Sequence, residues 1–156
     1  NFNYGKDIND WIRYVLKVLK LDCPVGIIPI PGRYEIAGNF TLDTAHNTQA
    51  IKFLMNKNGD YQKILIGILK DKDIENIICS FPKDCEILVC NLETERGVSS
   101  SKLSETCLKH GYQNTEFARV SDAMEYAAHH KTLVTGSFYT VSAAREFLKL
   151  EGYDEL

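Results

Sequence analysis

Apolar residues at Ile8, Trp11, Ile12, Val15, Leu16 and Leu19 recur at helical spacing behind the capping-type residue Asp7, and predict an amphipathic helix from Asp7 to about Lys20. The next segment holds Pro24, Pro29 and Pro31, three of the chain's four prolines, and reads as a stiff, extended connector. Beyond it the period changes. Residues 33–37 and 39–43 read as two strands about Gly38, and residues 48–57 as a helix. The near-continuous apolar run KILIGIL (63–69) has the pattern of a strand covered on both faces. A short helix over 73–80, a strand over 86–92 and a helix over 101–110 closed by Gly111 follow. A weak strand (116–120), a helix (122–130), a strand (132–135) and a last helix (139–149) complete the series.

Strands separated by helix-length segments require crossover connections, which make neighbouring strands parallel. The expected fold class is therefore α/β: a Rossmann-like, mostly parallel sheet with helices on both faces and an N-terminal antiparallel hairpin strand. The proline connector is the expected boundary, with residues 1–28 as helix and linker and residues 29–156 as the main domain.

Composition narrows the function classes. A chain of 156 residues that is 44% hydrophobic can close one packed core of this kind. Eighteen basic against 21 acidic residues leave a net charge of −3, which gives no electrostatic basis for binding nucleic acid. No apolar run approaches the roughly 20 residues that cross a bilayer, and the first ten residues lack a signal-peptide core, so no membrane partner and a cytoplasmic location are expected. Five cysteines without a C-x-x-C pair read as reduced core residues, and no metal ligand set is expected from them.

Ligands of parallel sheets bind outside the carboxyl ends of the strands. Three polar clusters fall there: DTAHN (43–47), KDKD (70–73) and TGS (135–137). Asp43 could accept from a ribose diol beside a helix N-terminus suited to phosphate, or Asp43 or Asn47 could simply cap the helix while His46 is exposed. The charge run Lys70 to Asp73 fits a solvated loop with Asp73 as N-cap, or a lysine aimed at a carboxylate or phosphate. Ser137, after Gly136, is either a plain N-cap or a carboxylate ligand at a helix N-terminus. Arg33 could reach a phosphate or ribose, or be a surface residue of an edge strand. His110, His129 and His130 are expected in the last turns of helices, where cations are favoured. The chain has no G-x-x-x-x-G-K-[ST], no G-x-G-x-x-G behind a strand and no G-x-S-x-G.

Four blocks in order, PGRYE (31–35), LDTAHN (42–47), GILKDKD (67–73) and VTGSFY (134–139), resemble the C-terminal domain of folylpolyglutamate synthase and dihydrofolate synthase, in the Mur ligase superfamily. The resemblance spans roughly residues 29–150. Thr44 and Thr48 depart from it, standing where the family usually has Gly and Pro. It implies a fragment of a three-part ligase. In such an enzyme a central P-loop domain binds ATP and carries most of the Mg²⁺ ligands, residues 1–28 end that central domain, and the present domain closes over it. The implied reaction phosphorylates the carboxylate of dihydropteroate or a folate and passes the acyl group to L-glutamate, by positioning and charge stabilisation. The resemblance assigns Arg33, Asp43 and Asn47 to ATP, and Asp43 and His46 to catalysis. It assigns His46, Lys72, Asp73 and Ser137 to the glutamate site. Without its other half the fragment is expected to be inactive. The alternatives are a peptidoglycan-type amino-acid ligase domain, which shares the Asp-x-Ala-His-Asn turn, and a non-catalytic α/β binding module.

Overall fold

A computed structural model of the chain describes residues 14–20, 30–58 and 60–151. The chain divides into two compact units, Asn1–Ile30 and Pro31–Leu156. In the first, residues 14–18 are helical and residues 19–20 form a turn that ends the expected helix, while its residues 7–13 and residues 21–29 of the connector lie outside the described residues.

The second unit starts as a hairpin. Strand β1 (Glu35–Ala37) pairs antiparallel with β2 (Phe40–Leu42) across Gly38 and Asn39. Gly38 has φ +59 and Asn39 does not have a positive φ, the combination of a II′ turn, whose twist matches that of paired strands. Then follow α1 (Thr48–Asn58), β3 (Lys63–Ile66), α2 (Ile74–Ile78), β4 (Glu86–Cys90), α3 (Ser100–Lys109), β5 (Asn114–Phe117), α4 (Val120–Ala127), β6 (Thr132–Thr135) and α5 (Phe138–Phe147). The six strands lie in the order β1-β2-β6-β3-β4-β5, and every pair after the first is parallel. The expected α/β architecture is thus the observed one, with β6, the last strand in sequence, inside the sheet.

Alternation along the strands assigns the faces. Ile64, Ile66, Ile87, Val89 and Leu133 point into one core with Ile51 and Leu54 of α1, Ile77 of α2 and Leu103 and Cys107 of α3. Leu65, Leu88, Cys90 and Val134 point into the other with Val120, Ala123 and Met124 of α4 and Val141 and Ala144 of α5. Burying each large aliphatic side chain is worth about 1.5–3 kcal/mol, so both faces contribute to stability.

Three boundaries differ from expectation for identifiable reasons. Strand β3 stops at Ile66 and not at Leu69, because its ladders to β4 and β6 end there and Leu69 instead makes an isolated antiparallel bridge to Gly97; between them, a Cβ at Gly67 would lie 2.4 Å from Leu92 Cδ2 and 2.9 Å from Thr140 Oγ1. Strand β5 lies over 114–117 and not 116–120, because Val120 is the first residue of α4 and is buried there. Helix α4 ends at Ala127, so His129 and His130 occupy the turn beyond it, and His110 is the C-cap of α3.

Cys85, Cys90 and Cys107 are buried free thiols, pushed up to about 11, about 12 and about 12 by burial. Cys79 is instead exposed at the end of α2, and Cys23 lies outside the described residues. No helix among the described residues is long and apolar enough to cross a membrane.

Candidate functional site

The parallel ladder sets the carboxyl ends of β2, β6, β3, β4 and β5 along one rim. At its β2 end, Asp43 is 8% exposed, and burial raises its carboxyl above the ordinary 3.8 against the opposing pull of its hydrogen-bond donors and of nearby Arg33 and Lys57. Those donors are backbone amides: Tyr34 N–H to Oδ2 at 2.8 Å and Ala45 N–H to Oδ1 at 2.9 Å. Asp43 therefore ties the turn before β1 to the turn after β2. The same two turns are joined by Thr44 N–H donating to Gly32 O at 2.9 Å.

The ties continue across the rim. Ala45 O accepts from Gly136 N–H at 2.9 Å and from Thr135 Oγ1 at 3.0 Å, binding the β2–α1 turn to the β6–α5 turn. Ser137 caps α5 by accepting from Thr140 N–H at 3.0 Å, its hydroxyl lies 2.7 Å from Thr140 Oγ1, and Thr140 Oγ1 donates to Gly67 O at the end of β3. Gly136 has φ +98, and a Cβ there would meet Ile66 Cγ1 at 2.5 Å and Gly67 O at 2.8 Å. Only a glycine lets the chain pass so close to β3 in that conformation.

His46 is exposed, and its Nδ1 lies 2.9 Å from Thr44 O. A carbonyl can only accept, so Nδ1 carries the proton and Nε2 of the neutral ring is left as an acceptor for a ligand. Asn47 Oδ1 accepts from Ala50 N–H at 2.9 Å and caps α1. Thr44 does not have a positive φ, so glycine is not required where the resembling family usually has it. Thr48 is the first residue of α1, a position where proline and threonine are both tolerated.

Asp43, His46 and Ser137 thus lie on turns joined by one hydrogen-bonded seam, with Asn47 capping α1 at the end of the β2–α1 turn and Arg33 exposed on the turn before β1. Lys72 and Asp73 follow β3 on the same rim, but no hydrogen bond among the described residues joins them to the seam. Lys72 Nζ donates to Asp71 at 2.8 Å, and Asp73 caps α2 by accepting from Asn76 N–H at 3.2 Å and from Asn76 Nδ2 at 2.6 Å. Ser137 is 2% exposed and its hydroxyl is bonded to Thr140, so in this conformation it serves the turn and not a ligand.

Sequence reasoning passed over Tyr34 and Lys57. Tyr34 adopts φ +50, and Lys57 Nζ stands 3.7 Å from the centre of its ring. Neither residue type signals this, because the contact arises only when the hairpin folds back on α1. An open groove of about 580 Å³ was also not anticipated. Asn91, Glu93, Arg119, Ser121 and the Phe138–Tyr139 end of α5 line it, and none of the expected site residues does. The described residues contain no group of three or more His, Cys, Asp or Glu side chains able to hold a metal ion.

No protein-family model matches the sequence, and no curated protein does. Solved structures match well. A bifunctional folylpolyglutamate synthase/dihydrofolate synthase from Yersinia pestis is 26% identical, with a TM-score of 0.72 over 86% of this chain and 37% of its own. A folylpolyglutamate synthase from Thermotoga maritima is 27% identical, with a TM-score of 0.71 over 80% and 32%. E. coli FolC in complex with DHPP and ADP is 29% identical, with a TM-score of 0.64 over 77% and 31%. The chain spans about a third of the length of each. Its structural neighbours are the C-terminal region of folylpolyglutamate synthase/dihydrofolate synthase, in the Mur ligase superfamily, the family that its four ordered sequence blocks resemble.

Proposed function

We propose that this chain is the C-terminal domain of an ATP-dependent ligase that adds L-glutamate to dihydropteroate or folate through an acyl phosphate. The observation that carries the reading is the seam: buried Asp43 fixes the turns bearing Arg33 and His46 at the strand ends where parallel sheets take ligands. The neighbours supply the ligand classes. The Yersinia pestis protein is known with AMPPNP and Mn bound, a bifunctional folylpolyglutamate synthase/dihydrofolate synthase with Mn, AMPPNP and L-glutamate, and E. coli FolC with DHPP and ADP.

In this reading the substrate carboxylate attacks the γ-phosphorus, ADP departs, and the glutamate amine displaces phosphate from the acyl carbon. The amine must shed a proton, and His46 Nε2 is the acceptor that this chain offers. Arg33 meets ribose or phosphate oxygens, and the Asn47 amide group left over from capping is the second donor offered to the nucleotide. Lys72 and Asp73 serve the glutamate site. Asp43 and Ser137 act chiefly by holding their turns. Nucleotide and metal are gripped mainly by a central P-loop domain of the same protein, and the protein works in the cytoplasm.

The test is glutamate-dependent ADP formation by the full-length protein with dihydropteroate or a reduced folate, in parallel with a nucleotide-linked muramyl substrate. Turnover with a pterin substrate is expected, and His46→Ala should lower kcat by about 10²-fold or more. ADP formation only with the muramyl substrate, or with neither, would sink the folate reading. The isolated 156-residue chain should ligate nothing.

A further inference from the structure

Arg145 is 2% exposed, and among the described residues its guanidinium bonds Glu35, Leu150 and Glu151. Nη1 donates to Glu35 Oε1, and Nη2 donates to Glu151 O at 2.6 Å and to Leu150 O at 3.5 Å. Leu150 N–H returns a bond to Arg145 O at 3.0 Å, and Lys149 N–H donates to Glu146 O at 3.0 Å. With Lys149 at φ +53, this is a Schellman closure of α5. The carboxylate of Glu35 then passes the constraint on, since its Oε2 accepts from Gly32 N–H at 2.8 Å.

Gly32 opens the turn that carries Arg33. Its own φ is +67 and that of Tyr34 is +50, so the turn places a bulky residue in left-handed backbone at a cost of about 1–2 kcal/mol. Such a conformation persists only where its surroundings over-determine it. Here the bond from Gly32 N–H to Glu35, the bond from Thr44 N–H to Gly32 O and the bond from Tyr34 N–H to Asp43 do so. A buried ion pair adds little stability over well-packed apolar residues, so its location is the informative feature. This one ends on a turn amide.

We propose that Arg145 and Glu35 are positioning residues. They latch the Gly32–Tyr34 turn to the end of α5 and hold Arg33 beside Asp43 in the conformation that meets nucleotide. The ligand's identity rests on the ligase reading above, whereas the latch itself does not.

The experiment uses the full-length protein with Arg145→Met, which keeps bulk without charge, and Arg145→Lys, which keeps charge without the fork. The first readout is amide exchange of Tyr34 and Thr44, each expected to speed up by about tenfold in Arg145→Met and less in Arg145→Lys. Unchanged exchange at both amides in both variants overturns the latch, whatever the protein catalyses. The second readout is ADP affinity. Arg145→Met should weaken it by about tenfold while kcat at saturating ATP changes less, and Arg33→Ala should cost affinity in wild type but little further in Arg145→Met. An equal cost of Arg33→Ala in both backgrounds overturns the coupling. A wild-type protein that binds no ADP sinks the ligase reading, and exchange then decides the latch alone. Where Arg145→Met does not fold, Arg145→Lys carries both readouts.

Discussion

Each end of the parallel sheet holds an acid, half-buried Glu86 at one and buried Asp43 at the other, and they are neutralised differently. At the end where the strands begin, Lys63 is 7% exposed and its ammonium donates to Glu86 on the neighbouring strand. Glu86 also accepts from Thr115 Oγ1 at 2.6 Å, and Tyr126 lays its ring 4.5 Å from the Lys63 ammonium. At the end where the strands finish, Asp43 is held by two backbone amides, with no lysine or arginine among the described residues bonded to it. The first arrangement consumes its cation inside the fold. The second leaves Arg33 at the surface, and this contrast separates a structural ion pair from a turn able to serve a ligand.

The comparison can be broken most severely at Gly136. Gly136→Ala should cost about 3 kcal/mol or more in denaturant unfolding, since it combines a forbidden backbone region with contact on β3. Gly38→Ala, with nothing within 4 Å of the new Cβ, should cost only about 1 kcal/mol. Similar losses at both sites would mean that the seam has no special packing.

Next comes the ion pair: Lys63→Met should cost about 3 kcal/mol by stranding Glu86. Burial pushes the Glu86 carboxyl up, but Lys63 and Thr115 outweigh it and hold the group below its ordinary 4.5. Its contribution is therefore present above pH 4.5 and lost as pH falls through the lower, folded value. Asp43 has the opposite sign. Because burial raises it above 3.8, the folded state keeps that proton longer than the unfolded chain, and stability is lost as pH rises through this range. Unfolding midpoints followed from about pH 3 to about pH 7 should show Glu86→Gln removing an acid-side loss and Asp43→Asn removing an alkaline-side one. Shifts of the same sign would erase the contrast.

Asp43→Asn should itself cost about 1 kcal/mol, because an amide cannot accept at both of its heavy atoms and one backbone N–H is left unpaired. Smallest of all is Thr48→Pro, expected to raise stability by about 0.5 kcal/mol at the first position of α1. A marked loss there would show that the Thr48 N–H has a partner in the working enzyme.

What sequence could disclose of all this depended on whether the cause was local. Apolar runs and caps act within a few residues, so β6 was placed to the residue and α1 nearly so. Strand β5 slipped because Val120 looks the same as the end of a strand or the start of a helix, and only the packing of α4 decides between them. At the site, the DTAHN turn was legible because an acid, an imidazole and an amide are conspicuous after a buried strand. Its connection to the β6–α5 turn was not, since Ala45 contributes a carbonyl that every residue possesses. Arg145 was equally silent, because a basic residue near a helix end normally indicates solvent.

The position of β6 has a consequence for synthesis. Strands β2 and β3 have no ladder to each other and meet only through Thr132–Thr135, so a ribosome that has released everything up to Lys131 has produced two half-sheets with open inner edges. Completion waits for the last strand to wedge between them, which makes long-range closure the slow event and the unfilled slot the place where nascent chains would stick to one another.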